Sequence, residues 1–160
     1  MKQTHRELRD AFGCYATGVA VVTCAPKGAP AVGMTINSFT SVSLEPPLIL
    51  WCLDKSAFRF PTFSEADNYA VNVLSADQRA VSQAFASTKA RIADHETLLW
   101  ETGAPILKDC LASFDCRVFD RRSAGDHLVM IGEVVRFEAA KTGQPLVYFR
   151  SGYGVDGNSS

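Results

Sequence analysis

The sequence lacks most of the short motifs that usually define an enzyme class. No G-x-G-x-x-G follows a predicted strand and no G-x-x-x-x-G-K-[ST] occurs, so neither a Rossmann dinucleotide site nor a P-loop is indicated. H-E-x-x-H, G-x-S-x-G and closely spaced Cys/His pairs are absent too, and the three histidines lie far apart along the chain. Metal and triad chemistry are therefore disfavoured, and an enzyme of this kind is expected to rely on an organic cofactor.

Strong net charge and long apolar runs are also missing. The 16 basic and 17 acidic residues give a formal net charge of -1 and are scattered, so no electrostatic footprint for nucleic acid or for a membrane surface is visible. The run LILWCL (48–53) is far shorter than the roughly 20 residues that span a bilayer, and the N-terminus is polar rather than signal-like. We expect no nucleic acid and no membrane among the partners.

Paired cysteines are a further absence. The five cysteines form an odd set without a C-x-x-C pair, and Cys24, Cys52 and Cys116 sit in apolar runs, where a reduced thiol behaves as a small hydrophobe. This usage predicts free thiols and a cytoplasmic location.

What is present indicates one β-rich domain. A chain of 160 residues with 47% hydrophobic residues can bury one core, so we expect a single domain over 1–153 and a flexible tail over 154–160. Strands are predicted from runs within 19–25, 31–43, 47–53, 68–75, 112–122, 127–138 and 145–151. Short turns between most of them favour a mainly β fold, a closed antiparallel barrel with a few short helices on its ends.

Three helices and one long loop complete the prediction. Thr4-x-x-Glu7 and Ser75-x-x-Gln78 have the form of capping boxes, which open helices. A short helix is expected within 55–66, interrupted near Pro61. Residues 87–105 have no clear period and are expected to form a binding or lid segment. The continuous apolar run at 47–53 predicts a strand covered on both faces.

The segment MTINSFTSVSLEPP (34–47) is unusually rich in short polar side chains. Five hydroxyl groups and one amide crowd into it before two prolines end the run. Composition alone favours a polar strand followed by a Ser-rich turn. The alternative is a strand end whose small donors and acceptors bind the edge of a planar, heteroatom-rich ring such as isoalloxazine.

Several motifs together resemble the flavin reductase-like family of FMN-binding split barrels. They occur in order between residues 7 and 154. The matching segments are FG-x-x-x-TGV-x-VVT (12–23), GMTINSFTSVSLEPPL (33–48), YAVNVL (69–74), FA (85–86), GDH (125–127) and YFR-x-GY (148–153).

This resemblance implies a Greek-key split β-barrel that forms a homodimer, binds FMN or FAD, and reduces flavin with NADH or NADPH. It also implies a flavin-dependent monooxygenase as the partner that receives reduced flavin. Two alternatives stay open: another flavin-dependent oxidase on the same barrel, such as the pyridoxamine phosphate type, and a flavin-binding module without enzymatic activity.

The resemblance also assigns site residues. The isoalloxazine and ribityl groups would contact Thr35, Asn37, Ser38, Ser41 and Val42. The flavin phosphate would lie at Asp54, Lys55 and Ser56, where a helix start would favour an anion. The ribityl-phosphate or adenine part would meet Phe85 and Ala86, with Lys89 and Arg91 following as candidate phosphate partners. The catalytic assignment is His127, close to the nicotinamide donor, with Tyr153 nearby.

Each assignment has a structural alternative. Phe85 could be a core residue of its helix, Lys55 a solvated residue beside a cap, and His127 a structural residue at a strand start. Ile92 stands where the family often has an aromatic residue.

Overall fold

The computed structural model describes residues 4–154, which form short helices and many strands. The α-helices are α1 (His5–Phe12), α2 (Phe60–Ser64) and α3 (Arg79–Phe85). The strands are β1 (Thr17–Gly18), β2 (Ala20–Cys24), β3 (Val32–Ile36), β4 (Thr40–Leu44), β5 (Pro47–Asp54), β6 (Asn68–Val73), β7 (Thr97–Leu99), β8 (Pro105–Leu107), β9 (Ala112–Ala124), β10 (His127–Ala139), β11 (Val147–Phe149) and β12 (Gly152–Tyr153). The predicted flexible tail lies, except for Gly154, outside the described residues.

A seven-stranded antiparallel sheet organises the fold. Its strand order is β3-β2-β6-β9-β10-β5-β4, and two smaller sheets pair β1-β11-β12 and β7-β8. Within residues 4–154 no ladder joins the two end strands, β3 and β4. The expectation of a closed barrel is therefore corrected: the sheet curls but stays split between these two strands.

The single strand predicted over 31–43 is two strands. β3 pairs with β2, with Thr35 opposite Val21, whereas β4 pairs with β5 at the other end of the sheet. The chain crosses from one edge to the other at residues 37–39. No glycine or proline marks this break in the sequence, but the polar side chains there compete with the backbone for hydrogen bonds.

The barrel core is built around Trp51 on β5. Its ring meets Phe63 and Tyr69 edge-on, with ring centroids 5.5 and 5.7 Å apart. On the same strand Ile49 and Leu53 are buried as well, whereas the alternate residues Leu48, Leu50 and Cys52 are only half-buried. The expectation that β5 is covered on both faces is thus met on one face only.

The helices begin where the sequence indicated, with one correction. Both capping boxes are present: the Glu7 carboxylate accepts from the Thr4 amide at 2.7 Å, and the Gln78 side chain accepts from the Ser75 amide at 3.1 Å. α2, however, begins only at Phe60, so Pro61 lies in the first turn, where its missing N–H is tolerated. Leu8 and Phe12 of α1 are exposed.

The segment over 87–105 has more structure than predicted. It contains a 3₁₀ turn, Ile92–Asp94, and strand β7, which pairs with β8. The predicted strands at 112–122 and 127–138 are confirmed and slightly longer, as β9 and β10. No helix among residues 4–154 is both long and apolar enough to cross a membrane.

Candidate functional site

A cavity of about 440 Å³ opens between α1, β3, the end of α3 and the β11–β12 hairpin. Its wall includes four residues that the sequence had singled out, namely Thr35, Asn37, Ala86 and Tyr153. A second groove of about 360 Å³ adjoins it, shares Asn37, and adds Ser38. The two spaces therefore meet at the segment that joins β3 to β4.

The hydroxyls of this polar segment already have protein partners. Thr35 Oγ1 donates to the carbonyl of Ser82 at 2.6 Å. Ser38 Oγ accepts from the Cys52 amide at 3.0 Å and donates to the Cys52 carbonyl at 3.4 Å. The Asn37 side chain is exposed on the wall that both spaces share. A ligand there would meet the Asn37 amide directly, and Thr35 and Ser38 through their remaining lone pairs.

Ser41 and Val42 lie on β4, beyond both spaces. Val42 is 47% exposed at a register shift between Ser41 and Ser43. Neither residue is part of the wall of the cavity or the groove. Their assignment as flavin contacts remains a prediction that the cavity does not support.

A second cluster of predicted residues stands at the end of β5, beside the β9–β10 turn. Lys55 Nζ donates to Ser123 Oγ at 2.8 Å and to the Gly125 carbonyl at 2.6 Å. Both acceptors are neutral, so the positive charge of Lys55 is not neutralised by these contacts. Lys55 lies in a turn before α2 rather than at a helix start, which corrects the expected helix-terminus anion site.

Asp54 and His127 face each other in this cluster, as Cα partners of the β5–β10 ladder. The Asp54 carboxylate accepts from the amide and hydroxyl of Ser56 at 2.7 Å, and these hydrogen bonds, with His127 nearby, lower the Asp54 pKa. His127 Nδ1 lies 2.8 Å from Asp126 Oδ1, and this contact lowers the Asp126 pKa. The His127 ring is 40% exposed, which leaves Nε2 as the nitrogen available to a ligand.

The two groups of residues are neighbours in the sheet. Ser38 is hydrogen-bonded to Cys52, and Asp54 follows Cys52 by two residues, or about 7 Å along a strand. Lys55 and His127 therefore stand at the same end of β5 as the polar segment. They are not, however, part of the wall of the cavity or the groove.

The residues after α3 divide into a buried part and an exposed part. Phe85 is 2% exposed and packs against His95, with ring centroids 4.8 Å apart, so its side chain belongs to the core. Ala86 lines the cavity, and Lys89 and Arg91 are exposed. Ile92, where an aromatic was expected, is buried in the same cluster as Phe85.

Sequence reasoning missed two residues that organise this region. The Arg59 guanidinium donates to the carbonyl of Ala90 at 2.9 Å, which ties the segment bearing Lys89 to the start of α2. Ser82 is fully buried beneath the cavity and contacts both Thr35 and Tyr153. The sequence did offer one indication of the role of Ser82: it is a serine on the apolar face of a predicted helix, three residues before Phe85.

The cavity suits a planar heteroaromatic group. Its wall combines aromatic rings, such as Tyr148 and Tyr153, with short polar side chains. Thr17 lines both spaces, and its buried Oγ1 has no hydrogen-bond partner within residues 4–154. No three His, Cys, Asp or Glu side chains in that range lie close enough to hold a metal ion. The aromatic rings and short polar side chains of this wall, including the Thr17 hydroxyl, thus fit a flavin.

Family comparison agrees with this fold. Residues 12–155 match the model of the flavin reductase-like domain, so the chain belongs to the flavin reductase-like family. The resemblance seen in the sequence is confirmed, and so is the split-barrel fold.

Relatives with named activities are similar along nearly the whole chain. The NADH-dependent FMN reductase SmoA of Agrobacterium fabrum is 42% identical, over 95% of this chain and 86% of its own. The reductase component of the trigonelline monooxygenase of Acinetobacter baylyi is 41% identical, over 97% of this chain; the chain spans only 50% of that relative. A solved structure of the Streptomyces globisporus NADH:FAD oxidoreductase SgcE6 in complex with NAD and FAD fragments matches with a TM-score of 0.87 and 33% identity. The match covers 94% of this chain and 91% of that one.

Proposed function

We propose that the chain is an NAD(P)H-dependent flavin reductase, which transfers a hydride from NADH or NADPH to FMN or FAD. The observation that carries the proposal is the cavity beside the polar segment 35–38, in a chain of the flavin reductase-like family. Relatives described as an NADH-dependent FMN reductase and an NADH:FAD oxidoreductase support it over the oxidase and the non-enzymatic module.

The protein's own residues supply binding and orientation. Flavin, when bound, is the hydride acceptor, so no side chain has to act as an obligate acid or base. Asn37 and Thr35 place polar groups on the cavity wall. Lys55 supplies a positive charge at the end of β5 that lies next to this polar segment. His127 positions the nicotinamide donor through Nε2, because its Nδ1 is held by Asp126.

We propose that reduced flavin passes to a flavin-dependent monooxygenase, because relatives of this chain are reductase components of such systems. We place the protein in the cytoplasm, and its five cysteines, all free, suit a reducing compartment.

We also propose a homodimer. The outer face of β5 and β10 carries a half-buried apolar row, with Leu50 opposite Ile131 and Cys52 opposite Val129. Leu44 on the neighbouring strand is 95% exposed. A second copy would cover this surface. Light scattering of the purified protein should give twice the chain mass; a single-chain mass at micromolar concentration would contradict the dimer.

The decisive experiment measures oxidation of NADH and NADPH against FMN, FAD and riboflavin. We expect oxidation that depends on added flavin, and the visible spectrum of the purified protein will show whether flavin is retained. Binding of flavin without oxidation of either nucleotide would instead support the non-enzymatic module. Oxidation of an amine or alcohol substrate with bound flavin, and none of NAD(P)H, would support an oxidase.

A further inference from the structure

Ser82 links two residues on the cavity wall from below. It lies on α3, is 0% exposed, and does not itself line the cavity. Its carbonyl accepts from Thr35 Oγ1 at 2.6 Å as well as from the Ala86 amide at 3.0 Å. Its hydroxyl lies 2.8 Å from the Tyr153 hydroxyl. One buried residue therefore holds a side chain of β3 and a side chain of β12.

The two links are chemically separable. Thr35 uses the backbone carbonyl of Ser82, whereas Tyr153 uses the side-chain hydroxyl. Replacing Ser82 by alanine removes only the second link, because the carbonyl remains. Ser82→Ala thus removes the hydrogen bond to the Tyr153 hydroxyl and keeps the carbonyl that accepts from Thr35.

The Tyr153 ring is fixed on its other sides as well. The Arg79 guanidinium lies 5.0 Å from its centroid, and the Tyr148 ring meets it at 72° with centroids 5.5 Å apart. The preceding residues, Arg150 and Ser151, both have positive φ values, of 46° and 64°. These contacts set the position of the Tyr153 ring. The hydrogen bond with Ser82 then controls the orientation of the Tyr153 hydroxyl group.

Either hydroxyl of the pair can be the donor. When Ser82 donates, the Tyr153 proton is available to a ligand acceptor. When Tyr153 donates, its lone pair is available to a ligand N–H. A neutral carboxamide carries both kinds of group, and the nicotinamide ring has one.

We propose that Ser82 is a positioning residue that orients the Tyr153 hydroxyl toward the carboxamide of the nicotinamide donor. This rests on the proposed function, because that function brings a nicotinamide to the cavity. Ser82 does not line the cavity, and the effect of its hydroxyl passes through Tyr153 alone. Flavin, which we assign to the Thr35 side, should be insensitive to the loss of the Ser82 hydroxyl.

The test is a double-mutant cycle with binding and kinetic measurements. Ser82→Ala, Tyr153→Phe and the double variant are compared for the Kd of NAD⁺ by calorimetry, the Kd of FMN by fluorescence quenching, and KM and kcat for NADH. Ser113→Ala is the matched control, since Ser113 is also a buried serine with a side-chain hydrogen bond, to Asn72 Oδ1, away from this cavity. Ser82→Cys, which fills the space with a weak donor, replaces Ser82→Ala if thermal melts show that the alanine variant does not fold.

We expect each single variant to raise the Kd of NAD⁺ and the KM for NADH about three- to ten-fold, the range of one hydrogen bond. The double variant should be no worse than either single variant, and the Kd of FMN should stay within about two-fold. Ser113→Ala should leave all four measured constants unchanged.

Two results would overturn the inference while the proposed function stands: effects that multiply in the double variant, or a Ser82 variant that binds NAD⁺ like the parent. A parent protein that neither binds NAD⁺ nor oxidises NADH with any flavin would overturn the proposed function itself.

Discussion

The Ser38 hydroxyl forms two hydrogen bonds with the backbone of Cys52, accepting from its amide and donating to its carbonyl. This contact extends the β4–β5 pairing beyond Thr40, at the point where the sheet is split. At the edge of the proposed flavin site, the Ser38 side chain therefore takes the place of a neighbouring strand as the hydrogen-bond partner of Cys52.

Ser38→Ala should destabilise the protein even without ligand. The Cys52 amide would lose its partner, which costs about 1–3 kcal/mol in the free energy of unfolding. Urea denaturation of the flavin-free protein measures this. Ser41→Ala is the control: its side chain is exposed on β4, and we expect a change within about 0.5 kcal/mol. Equal stability of the two variants would mean that the Ser38 contact contributes nothing to the fold.

Gly33→Ala should destabilise the protein by steric overlap. A Cβ at Gly33 would lie 2.7 Å from Phe85 Cε1 and 3.2 Å from Ile92 Cδ1, and both of these side chains are buried in one cluster. We expect a loss of about 1–3 kcal/mol and weaker flavin binding, since Ala86 lines the cavity. Gly18→Ala is the matched control, because a Cβ there has no atom within 4 Å. A Gly33 variant as stable as the control would contradict the tight packing.

Lys55→Ala should weaken binding of FMN and reduce its dependence on salt. Removing one cation near the phosphate lowers the attraction that ions screen, so the affinity should change less between low and high ionic strength than in the parent. Titration of FMN fluorescence at several salt concentrations measures both effects. Lys27→Ala removes the same charge at the β2–β3 turn and should have no effect. An unchanged affinity and salt response would count against the phosphate assignment.

Substitution of His127 by alanine should impair the reaction only partially. The side chain positions the nicotinamide donor, so we expect a higher KM for NADH or a moderate fall in kcat. Steady-state kinetics with FMN in excess measures both. Asp126→Asn, which keeps a group able to contact Nδ1, should show a smaller effect. Complete inactivation with flavin and nicotinamide binding intact would refute a positioning role.

The cysteines should react with a thiol reagent at very different rates. Burial raises the pKa of Cys24 to about 12 and that of Cys110 to about 11, and it also raises the pKa of Cys52 and Cys116. Cys14 is exposed. Because the thiolate is the reactive form, one thiol should react quickly at pH 8 in the native protein and all five after unfolding. Rapid reaction of several thiols in the folded protein would show that the core opens readily.

Local patterns predicted the elements well and their pairing poorly. Both capping boxes, and the strands β5, β6, β9 and β10, follow from side-chain spacing, which is a local property. The break between Ile36 and Thr40 could not be predicted, because it depends on which distant strand each half joins. Ser82 was missed for a similar reason: its partners, Thr35 and Tyr153, are 47 and 71 residues away.

The strand order has a consequence for how the protein is made. β2, β3 and β6 form one part of the large sheet and β4 and β5 form another, and only the β9–β10 hairpin connects them. A nascent chain that has emerged through β6 already carries every residue of the segment 35–38 and of β5. It still lacks the hairpin that brings the two parts into one sheet. The cavity wall also needs Tyr148 and Tyr153, so the capacity to bind flavin should arise only late in synthesis, after residue 153 has left the ribosome.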